Sequence, residues 1–461
     1  MNPLTIFVPN LCLGARLSSK LCFAAEATEL PGQELLHSIF ASRASYAIFI
    51  LLWPTVAAQA SPQQPAARTL LDYNLELRTA RLKGDLETWR AAGAEALKLT
   101  PDNPDFLISV SRANAGLGRN DEALRLLDEA VQRGAGLEPD RFPEYEGMKQ
   151  EQRFLQIVKR AKANMAPLPR AKTFALLPTA SEGIAYDSVS RRLFAGTEGG
   201  ILQVDADGKV STFVSGNGLR QVLGIKVDAE RRLLWAVSGR FPDVAPGPTA
   251  PPADVGTGGV HVYHLDRAER IGAYEIDERP VLHGFNDIAL ARDGTVYVTD
   301  STQGAIYRLG AGATQLERWL QDSRMTFPNG IVLSPDDKRL YVAHVEGVSM
   351  IDTASRAKKL LTLPANAAVH NMDGLAWYKG SLLGVHASPY FRRIVRVHLA
   401  DNGAAIDKVS VVNARTPDYH QTTAAVAGDK LYVVGGSPLP NLYGGPPATE
   451  PKPQILQIPL P

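Results

Sequence analysis

One short pattern recurs six times in the chain, and it limits the fold more than any property of the whole. Its clearest copy is Asn286-Asp-Ile-Ala-Leu-Ala-Arg-Asp-Gly-Thr-Val-Tyr-Val-Thr-Asp-Ser301. An apolar run leads into an Asp293-Gly294 turn and out along a second run rich in β-branched and aromatic residues. That order predicts a tight hairpin of two buried strands. Glu182-Gly-Ile-Ala-Tyr-Asp stands in the same relation to Arg192-Leu-Phe-Ala-Gly, and Gly224-Ile-Lys-Val-Asp to Leu233-Leu-Trp-Ala-Val. Asn329-Gly-Ile-Val-Leu-Ser precedes Arg339-Leu-Tyr-Val-Ala, Asp373-Gly-Leu-Ala-Trp precedes Leu382-Leu-Gly-Val, and Thr422-Thr-Ala-Ala-Val precedes Lys430-Leu-Tyr-Val-Val.

The head residues fall at 182, 224, 286, 329, 373 and about 422. A Pro- and Gly-rich insertion, Phe241 to Gly258, widens the second interval. A repeat of this length with four short strands is a propeller blade, so 168–461 is predicted to be a six-bladed β-propeller. In the first blade the strands are expected at 182–187, 191–196, 200–205 and 209–214. The sixth blade has Gln454-Ile-Leu-Gln-Ile458 but no fourth strand of its own. Lys172-Thr-Phe-Ala-Leu-Leu177, placed before the first head residue, is expected to fill that gap and remove two free sheet edges.

Before the propeller the period changes. From Arg68 to about Met165, Leu and Ala alternate with charges at helical spacing. Gly84-Asp85 with Trp89, Ala96 and Pro101 matches Gly118-Arg119 with Ala123, Leu127 and Ala130 at an offset of 34 residues. Glycine at the turn and small residues at a close helix crossing resemble the tetratricopeptide repeat. Phe142 to Val158 is expected to add a closing helix. The predicted class is therefore mainly β, with an N-terminal α-helical, tetratricopeptide-like domain at 68–165. Such an array either binds a protein partner or packs on its neighbour.

Residues 61–67 form a Pro/Gln/Ala linker. Upstream, Arg43 and the apolar run Tyr46-Ala-Ile-Phe-Ile-Leu-Leu-Trp-Pro-Thr-Val-Ala-Ala-Gln-Ala60 have the layout of an export signal, and 1–60 is assigned as signal peptide with an N-terminal extension. The expected location is periplasmic or secreted, with no stable membrane insertion after signal cleavage. Cys12 and Cys22 are the two cysteines, and both precede that cleavage point. Disulfides, cysteine catalysis and cysteine-ligated zinc then leave together. A formal net charge of +1 gives no electrostatic footprint for nucleic acid.

The innermost strand of each blade lines the central channel, so the six head residues face one another at its mouth. They are Glu182, Gly224, Asn286, Asn329, Asp373 and Thr422. Asn-Gly and Asp-Gly pairs also begin strands because they make good turns. Two carboxylates and two amides converging from four blades point further, to a hard divalent cation, most simply Ca²⁺, held by Glu182, Asn286, Asn329 and Asp373. Loops between the second and third strands overhang this mouth and include Asp300–Gln303, His344–Glu346, His386–Phe391 and Ser437–Pro447. Phe241, Tyr390, Phe391 and Tyr443 are placed to wall an apolar pocket or simply to anchor these loops.

Glu182-Gly183, Phe285-Asn286-Asp287, Pro328-Asn329-Gly330-Ile-Val-Leu-Ser-Pro-Asp-Asp337 and Met372-Asp373-Gly374 together resemble the senescence marker protein/gluconolactonase (regucalcin-like) family. The resemblance covers about 168–461 and none of the helical part. It implies a divalent metal on the residues matching Glu182, Asn329 and Asp373, with Asn286 binding metal or positioning substrate and water. It also implies hydrolysis of a lactone or related ester, with Asp373 as base or nucleophile. His283 and His370 stand before their strands as substrate-binding candidates, and His420 is a second proton-transfer candidate because the sixth blade has no acidic head residue. Family sugar lactonases often carry an arginine near the position of Asn286. Here the local sequence is Leu282-His283-Gly284-Phe285. The expected function is an exported, metal-dependent lactonase or esterase acting on a small molecule. A binding or scaffold propeller with a structural metal is the alternative, and a lyase or synthase on the same fold is a third.

Overall fold

The computed structural model describes residues 68–242, 253–414, 421–436 and 452–461. The export signal, the linker, His420, Tyr443 and the Ser437–Pro447 loop lie outside the described residues.

Six four-stranded sheets follow one another along the chain. The first contains Ile184–Asp187, Arg192–Thr197, Gly200–Val204 and Val210–Ser215. Each of the next four sheets repeats the same antiparallel order. The sixth is assembled from both ends of the propeller: Ala424–Ala427, Lys430–Gly435 and Gln454–Pro459 pair in order, and Lys172–Leu176 adds the outer edge. Lys172 lies opposite Gln457 and Leu176 opposite Gln454. The ring is closed by the strand the sequence set aside for that purpose.

The inner strands are irregular at their head residues. Pairing register shifts between Val222 and Ile225, between Phe285 and Ile288, and between Met372 and Leu375. In blades 1, 4 and 6 the head amides of Glu182, Asn329 and Thr422 donate to Gly196, Ala343 and Val434 just ahead of the regular ladder. A bulge re-aims a side chain without ending the strand. The residue after the head is Gly183, Asp287, Gly330, Gly374 or Thr423, and in blade 2 the register puts Gly224 in this slot, so Leu223 and not Gly224 holds the head position there. A Cβ at Gly183 would run into the Leu223 carbonyl oxygen of the next blade, and one at Gly330 into the Asp373 carbonyl oxygen. Glycine is needed there because neighbouring inner strands touch backbone to backbone. Gly330 donates to Asp373 O at 2.8 Å, and Gly374 donates to Thr422 O at 3.0 Å.

Ahead of the propeller come α1 (Leu70–Lys83), α2 (Leu86–Leu99), α3 (Pro104–Gly116), α4 (Asn120–Gln132) and α5 (Gln152–Ala163). Thr69 and Asp72 form a capping box on α1, and Gly84 ends it at φ 71°. Asp85 caps α2 and Asn103 caps α3, whose first residue is Pro104. A Cβ on Gly93 would meet Val110 and Leu77, so α2 packs closely against α1 and α3. The closing helix expected near Phe142–Val158 is α5, which begins ten residues after Phe142 because the 3₁₀ turn Pro143–Met148 comes first. Among the described residues no helix is long and apolar enough to cross a membrane.

The helices pack on their own propeller. Leu70, Leu77, Trp89, Ala96 and Phe106 share a buried cluster with Val345 and Phe327 of the propeller. Leu127, Tyr145 and Phe154 share another with Ala368 and Phe391.

Candidate active site at the roofed channel mouth

Where the helices meet the ring they leave a cavity of about 270 Å³. The propeller supplies its floor and walls through Asn329, Asp373, His344, Val345, Phe327 and the Ala387–Tyr390 loop. Helices α1 and α3 supply its roof through Leu77, Arg78, Arg81, Asp105, Phe106 and Arg112. Polar bonds lock the two parts together. Asn103 Nδ2 donates to Val345 O at 2.9 Å while its Oδ1 caps α3. The Asp105 carboxylate accepts from Asn371 Nδ2 at 2.6 Å and from Ser388 Oγ at 2.8 Å.

Two floor residues have left-handed backbone, which is costly for Phe327 and readily adopted by Asn371. Phe327 and Asn371, each two residues before a head residue, both have φ 54°. Left-handed backbone is unfavourable for a bulky side chain and costs roughly 1–3 kcal/mol. These two turns precede Asn329 and Asp373, the two head residues that line the cavity.

The floor is an electrostatically uncomfortable place for carboxylates. Burial pushes the Asp373 carboxyl up to about 7, and the Asp287 charge pushes the same way, while the Asn329 amide partly offsets both. Glu182 is raised well above its ordinary value by burial first, then by Asp373 and Asp287. No cation appears among the groups that act on either one. Asn329 Oδ1 and Asp373 Oδ1 are buried without a hydrogen-bond partner. Asn286 donates from Nδ2 to Ser301 Oγ at 3.1 Å, which leaves its oxygen as the atom not committed there.

Asp287 is a carboxylate that the sequence analysis passed over. It occupies the slot that holds glycine in four other blades, and accepts from Ile288 N at 2.8 Å and Ile331 N at 3.2 Å. Both oxygens are thereby committed to backbone. Among the described residues no three His, Cys, Asp or Glu side chains converge as a metal-ligand group. Any cation at the floor therefore depends on amide oxygens beside Glu182 and Asp373.

The histidines lie elsewhere. His283 is buried with Nδ1 2.7 Å from Asp300 Oδ2, stacks on Phe285 at 5.3 Å and does not line the cavity. His370 is buried at the junction, 3.3 Å from Asp102, and does not line it either. The junction with the helices claims the space a substrate would need beside it. His344 does line the cavity, but Glu346 at 2.7 Å and Ser349 at 2.8 Å hold both its ring nitrogens. Of the aromatic wall candidates, Tyr390 lines the cavity. Phe391 instead stacks on His386 at 4.3 Å, and Phe241 lies 6.0 Å from Phe327.

The fold and its channel site define a six-bladed propeller with an oxygen-lined axial pocket. Residues 181–376 match the family model of the SMP-30/Gluconolactonase/LRE-like region. No match is found among curated proteins. Among solved structures, a gluconolactonase from Xanthomonas campestris is 18% identical with a TM-score of 0.44, over 65% of this chain and 93% of that one. An aldose sugar dehydrogenase from Streptomyces coelicolor in its PQQ-bound form is 17% identical with a TM-score of 0.43, over 64% of this chain and 99% of that one. A luciferin-regenerating enzyme is 15% identical with a TM-score of 0.45, over 64% of this chain and 95% of that one. These likenesses carry no conclusion about activity.

Proposed function

We propose that this chain is an exported, Ca²⁺-dependent hydrolase of a lactone or related ester. The observation that carries this reading is the pair of buried, unpartnered oxygens, Asn329 Oδ1 and Asp373 Oδ1, at the floor of the cavity. Buried polar atoms are ordinarily paired, and oxygen-only donors suit a hard cation. Glu182, Asn286, Asn329 and Asp373 are the residues that would hold it. An ion bound there polarises a carbonyl and makes water more acidic.

The chain's own groups provide the rest. Burial raises the Asp373 carboxyl, and a bound cation would bring it back down, so that Asp373 would be ionised and able to accept a proton at neutral pH. It takes that proton from the water that adds to the lactone carbonyl, and returns it to the ring oxygen as the acyl C–O bond breaks. The product is one hydroxy acid. Tyr390, Val345 and Phe327 line the cavity beside this step and are expected to lower its water content when substrate fills it. The carbonyl end of the substrate is expected at the floor and the rest of it toward the helices. The export signal in the sequence supports a periplasmic or secreted location.

Metal content and lactone hydrolysis, measured on protein beginning at Ser61 before and after chelation, test this. The expected result is about one bound divalent ion per chain, with turnover lost on chelation and restored by Ca²⁺. A protein that binds no ion loses the metal site. One that is stabilised by an ion but hydrolyses no lactone or aryl ester is a scaffold propeller instead.

A further inference from the structure

The roof of the cavity carries more positive charge than packing requires. Arg78, Arg81 and Arg112 all line it. Arg112 is accounted for: it makes a two-pronged bond to Glu144 at 2.8 and 3.2 Å and lies 4.2 Å over the Phe142 ring. Arg81 is not. It is half-buried, and makes no hydrogen bond or ion pair among the described residues. Withdrawal from water and then the neighbouring Arg112 disfavour its charge; Tyr390 and Glu144 offset this only in part, and the Glu144 carboxylate is already committed to Arg112. A guanidinium nevertheless stays charged. A desolvated cation without a counter-anion is unfavourable unless something supplies one.

Asp105, the carboxylate that lines the cavity beside it on the roof, does not. Both oxygens of Asp105 are occupied by Asn371 and Ser388, and burial raises its carboxyl, which weakens it as a counter-charge. The lining shared with Arg81 includes apolar Leu77, Phe106, Val345 and Phe327. We propose that Arg81 on helix α1 is a substrate-recognition residue, and that the substrate is a lactone or ester carrying a carboxylate, bound with that carboxylate at the roof and its reacting carbonyl at the floor. The helical module is then part of the active site rather than a partner-binding appendage. A planar guanidinium fork matches a carboxylate, and one such contact facing an apolar wall suits a compact monoanion.

The assignment of that ligand as a substrate rests on the hydrolase reading above, so the experiment separates the two. Two γ-lactones of the same ring serve as probes: 5-oxotetrahydrofuran-2-carboxylate and its neutral carboxamide. With Arg81→Gln, KM for the carboxylate lactone is expected to rise by about 10- to 100-fold with little change in kcat, as for loss of a charge-assisted hydrogen bond. The carboxamide is expected to be handled as by the parent protein, and Arg81→Lys to fall between. Equal treatment of the two lactones by the parent protein, or an equal effect of Arg81→Gln on both, overturns the proposal.

Calorimetric binding of cyclopentanecarboxylate, with cyclopentanecarboxamide as control, needs no turnover. Carboxylate binding that depends on Arg81, in a protein that opens neither lactone, keeps the anion site and removes the hydrolase reading. Hydrolysis of both lactones without such binding does the reverse. A melting temperature equal to that of the parent protein shows that Arg81→Gln acts on the ligand and not on the fold.

Discussion

The floor of the cavity is built from a unit used six times, the roof from helices used once. On the floor the head residues follow a common plan: an inner strand that leaves the regular ladder at the head, a glycine after the head in four of the six blades, and a neighbouring blade within touching distance. The plan fixes backbone, and the head side chain is free to vary from Glu to Asn to Asp to Thr. On the roof, Arg81 and Asp105 come from different helices that are held in place by a cap residue and by apolar contacts. The floor is oxygen-rich and short of cations. The roof is the opposite. A repeat thus supplies the place for chemistry, and a single-copy module supplies charge of the other sign.

The largest effect is expected from emptying the floor. Asp373→Asn should lower turnover by about 10³-fold or more, as for loss of a proton-transfer group that also binds an ion, without unfolding the protein. A variant that keeps most of its hydrolytic rate would remove Asp373 from the chemistry. Gly330→Ala should come next, because its Cβ meets the Asp373 carbonyl oxygen, a backbone atom with nowhere to go. A loss on the order of 3 kcal/mol, read by urea denaturation, is expected for such an inner-strand clash. The matching change on the roof, Gly84→Ala, meets nothing within 4 Å and has only a φ of +71° to contend with. It should cost about 1 kcal/mol. Similar costs for the two would mean that the blades are less tightly stitched than the roof.

The junction can be tested alone. Asn103→Ala removes both the α3 cap and the bond to Val345 O, and should cost about 2 kcal/mol in the same assay. Activity should fall with it if the roof is needed for turnover. The smallest effect follows pH. The Asp373 carboxyl lies at about 7 in the fold against an ordinary 3.8. A raised carboxyl contributes stability that is fully present below the ordinary value and is lost as pH rises through the folded one. Chelated protein should therefore melt progressively lower between about pH 4 and 7. Asp373→Asn should flatten that slope, and added Ca²⁺ should raise the melting temperature most at pH 8, where no proton competes. A slope identical in the two proteins would assign the titration to other groups.

The floor was largely legible in the sequence because a repeat announces itself. Six hairpins gave six blades, and the missing strand of the last blade pointed to Lys172–Leu176. Asn329 and Asp373 stood out for the same reason. Asp287 was readable too, since it breaks a column of glycines, but only comparison between blades makes that visible. The roof was not legible. Asn103 meets Val345 across 242 residues of sequence, and Asp105 meets Asn371 across 266. No local pattern encodes such a contact. Arg81 reads along the chain as an ordinary basic residue in the last turn of a helix, where it complements the dipole. For His283 and His370 the position before a strand was visible in the sequence, whereas their burial against Asp300 and beside Asp102 was not.

The strand that completes the sixth sheet also sets an order on synthesis. Thr173 Oγ1 bonds to Gln454 Oε1, a residue 281 positions later. At roughly 5–20 residues per second a ribosome needs on the order of 15–55 s to cover that distance. For all that time the helices and the first blades have emerged while the ring still gapes, with unpaired edges at both ends. The cavity is roofed onto blades four and five, so helices made first must wait for a surface made late. Chaperones that shield open strand edges are therefore expected to engage the nascent chain longest at Lys172–Leu176.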